Sequence, residues 1–255
     1  MIVSDVDSTL MTDENIIPSE ALDMISYLIN HQIKIVIASG RQLNNLFSLF
    51  NPYDDKITFI AQNGSLISEG HKIIYQDIMP QEIVSQCLSY GFANNASILL
   101  YTKDEIFVAN SKVEVLEKLD GFGVSYKTLA DKHFYQDVFK ISFFIIDGDI
   151  ISLKNRINID NIHAFISNKY MIDITNINTN KGTALKQIQK LYRISSKKTC
   201  AFGDSENDID MFKYAFHSYA MGNAGDNVKK YALKEAPTNN QLGVVCVLKE
   251  LFSIK

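Results

Sequence analysis

Asp5 and Asp7 follow the apolar pair Ile2-Val3 at the start of the chain, and a later run, Gly203-Asp204-Ser205-Glu206-Asn207-Asp208, brings further carboxylates. Between them stand Ser39-Gly40-Arg41 and Lys181-Gly182-Thr183. Four carboxylates cannot crowd together ionised without a cation or a proton. Oxygen-only ligands favour a hard metal, and one or two carboxylates with waters and a substrate phosphate is the Mg²⁺ pattern. A lysine and the backbone N–H groups of glycine-containing turns suit a phosphoryl group. Metal and lysine together neutralise the oxyanions of phosphoryl transfer. Aspartate is ionised at neutral pH and needs no activating base to act as a nucleophile. A second carboxylate two residues on can protonate a leaving oxygen if its pKa is raised.

Such groups work only if the fold gathers them, and in open α/β sheets ligands sit beyond the carboxyl ends of the strands. Ile2 and Val3 open a strand that ends at Asp5. Pro18 and Ser19 start a helix with Leu22, Ile25, Leu28 and Ile29 on one face. Residues 33–38 (IKIVIA) form a β-branched run stopped by Ser39-Gly40, and a second helical pattern carries Leu43, Leu46, Phe47 and Phe50. A strand over 57–61 ends before Asn63-Gly64, a strong turn dipeptide. This alternation predicts a parallel sheet with covering helices.

From about residue 80 to 177 the pattern changes. Strand-like runs at 98–101, 106–109, 141–146 and 170–174 alternate with helical stretches at 81–89 and 111–119, which predicts an α+β module with antiparallel pairing. After Lys181 the first pattern returns, with helices over 184–192 and 208–214 and strands over 199–202 and 218–221. The expected fold class is α/β: a doubly wound, parallel-sheet, Rossmann-like core in two segments, 1–80 and 178–255, with an inserted α+β domain over 81–177. The four motifs then fall at strand ends or a helix start on one edge of the core.

Composition removes several classes. The chain has 255 residues, 25 Lys+Arg against 29 Asp+Glu for a net charge of −4, and 46% hydrophobic residues. With 12 Gly and 4 Pro it is neither disordered nor collagenous. Cys87, Cys200 and Cys246 form no CxxC, which fits a reducing compartment better than a disulfide framework or a zinc site. Arg41, Arg156 and Arg193 are the only arginines, a poor complement for nucleic acid. The longest apolar run, 244–248, is far shorter than a membrane span, and the opening MIVSDVDST has no basic n-region. A cytoplasmic, soluble protein is expected.

Singly, each motif has a plain structural reading: DVDST and GDSENDIDMF as helix caps, Ser-Gly as a turn, Arg41 as half of a surface pair, Lys181 as an exposed lysine before a helix. The five histidines, His31, His71, His133, His163 and His217, show no ligand spacing. Asp147-Gly148-Asp149 reads as a hairpin turn rather than a second metal site, and Phe143-Phe144 as core. Jointly, the ordered set DxDxT, (I/V)xxSGR, KG opening a helix and GDxxND resembles the haloacid dehalogenase superfamily of aspartyl-phosphate phosphatases. The insertion is similar in position and size to the type II cap of its Cof-like members. AQNGSLI at 61–67 and Gly243-Val244 at the start of the last helix extend the resemblance.

The resemblance implies the following roles. Asp5 is the nucleophile and a metal ligand. Asp7 is the general acid and base, with its backbone carbonyl on the metal. Thr9 supports the loop and the phosphate site, and Ser39 with the Gly40 N–H holds the phosphoryl group. Lys181 clamps that group and the nucleophile. Asp204 ligates Mg²⁺, Asp208 is a ligand or a partner through water, and Asn207 orients Lys181 or the phosphate. The implied activity is Mg²⁺-dependent hydrolysis of small phosphate monoesters, such as sugar phosphates, with a cap that closes over the site. A hexose-phosphate mutase-type phosphotransferase and a non-catalytic phosphometabolite-binding protein are the alternatives. The expected partner is a small-molecule phosphate ester, with no nucleic acid and no membrane, on a monomer or weak homo-oligomer. Ser8 departs from the subfamily's glycine, and Ser4 from its apolar residue before the nucleophile.

Overall fold

The computed structural model describes residues 1–121, 123–129 and 133–254. They form two compact units, one from Met1–Tyr75 with Asn180–Lys255 and the other from Gln76–Thr179. The first segment contains β1 (Ile2–Ser4), α1 (Ser19–Asn30), β2 (Ile35–Ala38), α2 (Leu43–Phe50), β3 (Thr58–Ala61), β4 (Leu66–Glu69) and β5 (Lys72–Gln76). The inserted unit contains α3 (Gln81–Ala93), β6 (Ser97–Tyr101), β7 (Ile106–Ala109), α4 (Val113–Gly121), β8 (Lys127–Thr128), β9 (Lys140–Phe144), α5 (Ile150–Asn155), β10 (Ile162–Asn168) and β11 (Met171–Asn176). The chain then returns through α6 (Lys181–Tyr192), β12 (Cys200–Gly203), α7 (Ile209–Tyr214), β13 (His217–Ala220), α8 (Asp226–Lys229), β14 (Lys234–Glu235) and α9 (Gly243–Leu251).

The first unit is built on a sheet of order β14-β13-β12-β1-β2-β3-β4-β5. All pairs from β14 to β3 are parallel, and β4 is antiparallel to β3. β1 is central, with Ile2 opposite both Cys200 and Ile35. Parallel strands are covered on both faces, which explains their nearly continuous apolar runs. On one face Val3, Val36, Ala38 and Ile60 pack with Leu185 and Ile188 of α6 and with Met211 and Phe212 of α7. On the other, Ile2, Ile35 and Ile37 share a small apolar cavity with α1 and α9 side chains such as Ile25 and Val245. Helices on both faces make this a doubly wound α/β core. β4, antiparallel to β3, and β5 beyond it at the edge are additional to the sequence reading.

The inserted unit carries its own sheet, of order β10-β11-β9-β6-β7-β8, antiparallel except for the parallel β7–β8 pair. Alternation sorts its side chains onto two faces. Ile98, Ile141, Phe143, Ile172 and Ile174 meet Val84, Cys87 and Leu88 of α3, while Leu99, Val108 and Phe144 meet Val115 and Leu119 of α4. Phe143 and Phe144 are thus core. Asp173 is buried and ion-paired with Lys140 at 3.1 Å, and it accepts from Ser142 Oγ at 2.5 Å. The hairpin expected at Asp147-Gly148-Asp149 is not there. The segment leads from β9 into α5, and the Asp149 carboxylate caps that helix by accepting from the Ile151 and Ser152 amides at 3.0 Å. The same residue types favour turns and helix N-caps, so composition alone could not separate the two.

Candidate active site

Parallel strands β12, β1, β2 and β3 all end on the same edge of the core sheet, so the residues that follow them emerge together. These are Asp204, Asp5, Ser39 and, through a tight turn, Asn63. Lys181 arrives as the first residue of α6, whose start is fixed by a reciprocal cap. The Asn180 side chain accepts from the Thr183 amide at 2.8 Å, and the Thr183 hydroxyl accepts from the Asn180 amide at 3.1 Å.

The centre of the site is a buried ion triad. Lys181 Nζ donates to Asp5 Oδ1 at 2.6 Å and to Asp208 Oδ1 at 2.7 Å, with the lysine side chain 1% exposed. The other oxygen of Asp208 accepts from the backbone amides of Asp204 and Ser205, both at 3.0 Å. That turn demands glycine at 203, because a Cβ there would lie 2.4 Å from the Cβ of Asp208. Asp204 is held in turn by Thr9 Oγ1 at 3.1 Å and Ser205 Oγ at 3.0 Å. Ligand oxygens of Asp5, Asp204 and Asp208 all lie within 4.8 Å of one another.

The electrostatics call for a cation. Burial pushes the Asp5 carboxyl well above the usual range; Lys181 pulls it back, and the charges of Asp208, Asp204 and Asp7 add to the rise. Burial, and then the charge of Asp208, push Asp204 up to about 6. Burial disfavours the Lys181 charge, yet the adjacent Asp208 and Asp5 carboxylates more than offset it and hold the ammonium above its ordinary value. Three carboxylates face one ammonium, and all the donors are oxygen. A hard divalent ion fits this donor set.

A pH dependence follows with a definite sign. Asp204 has a folded-state value near 6 against an ordinary 3.8, so its contribution to stability is fully present below about 4 and is lost as pH rises through 6. A cation needs the ionised form and gains affinity over that same interval. The Tm increase produced by Mg²⁺ is expected to be large at pH 7.5 and to shrink below pH 6; an increase that is constant from pH 5 to pH 8 contradicts this assignment.

Asp7 lies apart from the three-carboxylate group. Its half-exposed side chain is held in the fork of Arg41, with Nε at 3.1 and 3.0 Å from the two carboxylate oxygens and Nη2 at 2.5 Å from Oδ1. The Asp7 contact raises the Arg41 pKa above its ordinary value, even against partial burial. Arg41 is thus half of a surface ion pair, as its sequence reading has it, and the partner that the structure adds is Asp7. Its partner is 34 positions distant in sequence, and only the pairing of β1 with β2 brings the two together. Ser8 takes φ 56°, a left-handed conformation that accounts for glycine suiting this position, and its carbonyl accepts from Asn223 Nδ2 at 2.9 Å.

Two further residues make contacts that the sequence reading does not name. Thr9 reaches Asp204, a carboxylate of the cluster, and Asn207 donates to Asn63 Oδ1 at 3.0 Å. Ser39 Oγ accepts from the Arg41 amide at 3.2 Å, which closes the turn around Gly40. Sequence reasoning assigned no role to Asn63 or Ser205. The available signal for Asn63 was its place at a strand end beside glycine.

The chain belongs to the haloacid dehalogenase-like hydrolases, whose family model matches residues 2–248. It is 29% identical to a putative phosphatase, BU028/BU029, of Buchnera aphidicola, over 99% of this chain and 96% of that one. It is 26% identical to the 5-amino-6-(5-phospho-D-ribitylamino)uracil phosphatase YwtE of Bacillus subtilis, over 99% and 98% of the two chains. The fold matches the crystal structure of SMU.1108c from Streptococcus mutans UA159 with a TM-score of 0.92 at 24% identity, covering 99% of this chain and 98% of that chain.

Proposed function

We propose that this protein is a Mg²⁺-dependent phosphatase that hydrolyses small phosphate monoesters through an aspartyl-phosphate on Asp5. The observation that carries the reading is the Lys181 ammonium, bridging Asp5 and Asp208 at 2.6 and 2.7 Å beside Asp204. Relatives covering nearly the whole chain are named as phosphatases, and one acts on a phosphorylated ribityl compound, which favours sugar- and polyol-phosphate substrates.

In this mechanism an Asp5 oxygen attacks phosphorus in line with the ester oxygen. The P–O ester bond breaks as the Asp5 acyl-phosphate bond forms. Asp7 gives a proton to the departing alcohol. It then takes one from the water that attacks the acyl phosphate, so inorganic phosphate leaves, Asp5 is again a carboxylate and Asp7 is again the carboxylic acid in which it entered the cycle. Lys181, the Ser39 hydroxyl and the Gly40 N–H hold the phosphoryl oxygens. Asp5, Asp204 and the Asp7 carbonyl would hold Mg²⁺, with Asp208 as a further ligand or a partner through water; bound there, the ion neutralises charge on the transferring group. Every one of these groups belongs to the unit formed by Met1–Tyr75 and Asn180–Lys255.

The test is a panel of about a hundred phosphate esters with Mg²⁺, read as inorganic phosphate released. Release from at least a subset, abolished by EDTA, is expected. Tight binding without release, or isomerised ester in place of phosphate, overturns the reading. Asp7→Asn is expected to lower kcat/KM by roughly 10²- to 10⁴-fold on sugar phosphates, the general-acid share. The loss should be smaller on p-nitrophenyl phosphate, whose leaving group departs without a proton. Equal losses on both substrates would remove Asp7 from the acid role.

A further inference from the structure

The turn after β3 is more constrained than a strand end requires. Gln62, Asn63 and Gly64 all take positive φ, at 49°, 58° and 108°. Consecutive left-handed residues without glycine are costly, and such strain gathers at functional sites. Here two backbone donors hold it: the Gln62 amide to the Arg41 carbonyl and the Asn63 amide to the Ser39 carbonyl, both at 3.0 Å. The carbonyls on either side of Gly40 are thus both anchored by this turn. The Asn63 side chain, almost fully buried, lies against Gly40 itself, since a Cβ on that glycine would sit 3.3 Å from both amide heavy atoms. The same amide accepts from Asn207 Nδ2 at 3.0 Å. Asn207 stands on the turn that presents Asp204 and Asp208, and its own Oδ1 is buried with no hydrogen-bond partner among the described residues.

We infer that Asn63 is a positioning residue for phosphoryl transfer. Its amide sets the distance between the Ser39-Gly40 turn, which receives the phosphoryl group, and Asn207 on the carboxylate turn. It also fixes which end of the Asn207 amide faces the reacting group. The assignment rests on the function proposed above. Its physical logic is that a displacement of about 1 Å in a positioning group costs roughly 10²-fold in rate.

Asn63→Gly is the informative variant, because glycine keeps the left-handed backbone and removes only the amide. Its Tm in Mg²⁺ is expected to stay near that of the wild type, while kcat falls about 10- to 100-fold with a smaller change in KM. Inhibition by orthovanadate should weaken by a comparable factor. Asn207→Ala should do the same, and the double variant should fall no further than the worse single one, the signature of residues acting as one unit. Wild-type kcat and vanadate affinity in Asn63→Gly, or losses that multiply in the double variant, overturn the inference. If Asn63→Gly does not fold, Asn63→Asp takes its place. It keeps the acceptor for Asn207 and sets a carboxylate against Gly40, so weaker vanadate inhibition supports the inference and unchanged inhibition overturns it. A wild-type protein that releases phosphate from no ester removes the proposed function and this inference together. Wild-type turnover with unaffected variants removes this inference alone.

Discussion

Asp5→Asn is expected to reduce phosphate release by a factor on the order of 10⁶, the scale seen when a covalent nucleophile is removed. An amide oxygen is too weak a nucleophile to form the acyl phosphate, and neither the ion triad nor the carboxylate cluster offers a replacement. The variant should also show a second signature that separates chemistry from folding. Burial, reinforced by three neighbouring carboxylates, raises the Asp5 pKa well above its ordinary value despite the pull of Lys181. The ionised side chain is therefore a net cost to the folded state at neutral pH without metal. A neutral amide of the same shape removes that cost. Without Mg²⁺, Tm is expected to hold or rise, and the increase produced by Mg²⁺ should be much smaller. Measurable turnover at the wild-type rate on p-nitrophenyl phosphate would end the nucleophile assignment. A large fall in Tm would show that Asp5 supports the fold rather than burdening it.

Lys181→Met carries the second large effect and has the opposite stability sign. The lysine side chain is 1% exposed and is the shared partner of Asp5 and Asp208, whose side chains are 7% and 0% exposed. Removing one member of a buried ionic group leaves the remaining charges uncompensated, at a cost of about 3–5 kcal/mol. Methionine has nearly the right length and no charge, so packing changes little and the electrostatic loss stands alone. Urea unfolding without metal should show most of that loss, and Mg²⁺ should recover part of it by neutralising the same carboxylates. Turnover should fall by roughly 10²- to 10³-fold or more, the share of one donor to a developing oxyanion. A variant as stable as the wild type would mean that the triad's geometry contributes nothing to the fold. One that keeps its kcat would take Lys181 out of the phosphoryl clamp.

How far these residues could be read in advance depends on how local their cause is. Asp5, Ser39 and Asp204 follow short β-branched or apolar runs that read as strands, and strand ends in a parallel sheet share an edge. Their convergence was therefore legible. Lys181 was legible as a helix start from the helical pattern that follows it, while the Asn180–Thr183 reciprocal cap that fixes the start shows only in the structure. The fork of Arg41 on Asp7 was not, because it depends on register between strands 34 positions apart rather than on either neighbourhood. Asn63 looked like ordinary turn punctuation, and its use of that turn shows only through Gly40 and Asn207. In the inserted unit β10 went unread because its sequence, IHAFISN, mixes His, Ala and Ser with its apolar residues and shows little β-branching. Asp149 was misread because a helix cap and a hairpin turn draw on the same residues.

The position of β1 bears on how the chain is made. Its two neighbours in the sheet are β2, reached within a few dozen residues, and β12, where Cys200 pairs opposite Ile2. At about 5–20 residues per second on the ribosome, roughly 8–33 s separate the emergence of the two partners. During that interval the nascent strand carrying the nucleophile has one open edge, while the whole inserted unit is being synthesised. Open edges recruit other strands. The slower the synthesis, the longer this edge needs shielding, and a truncated chain ending before residue 200 should be a substrate for chaperones rather than a slow enzyme.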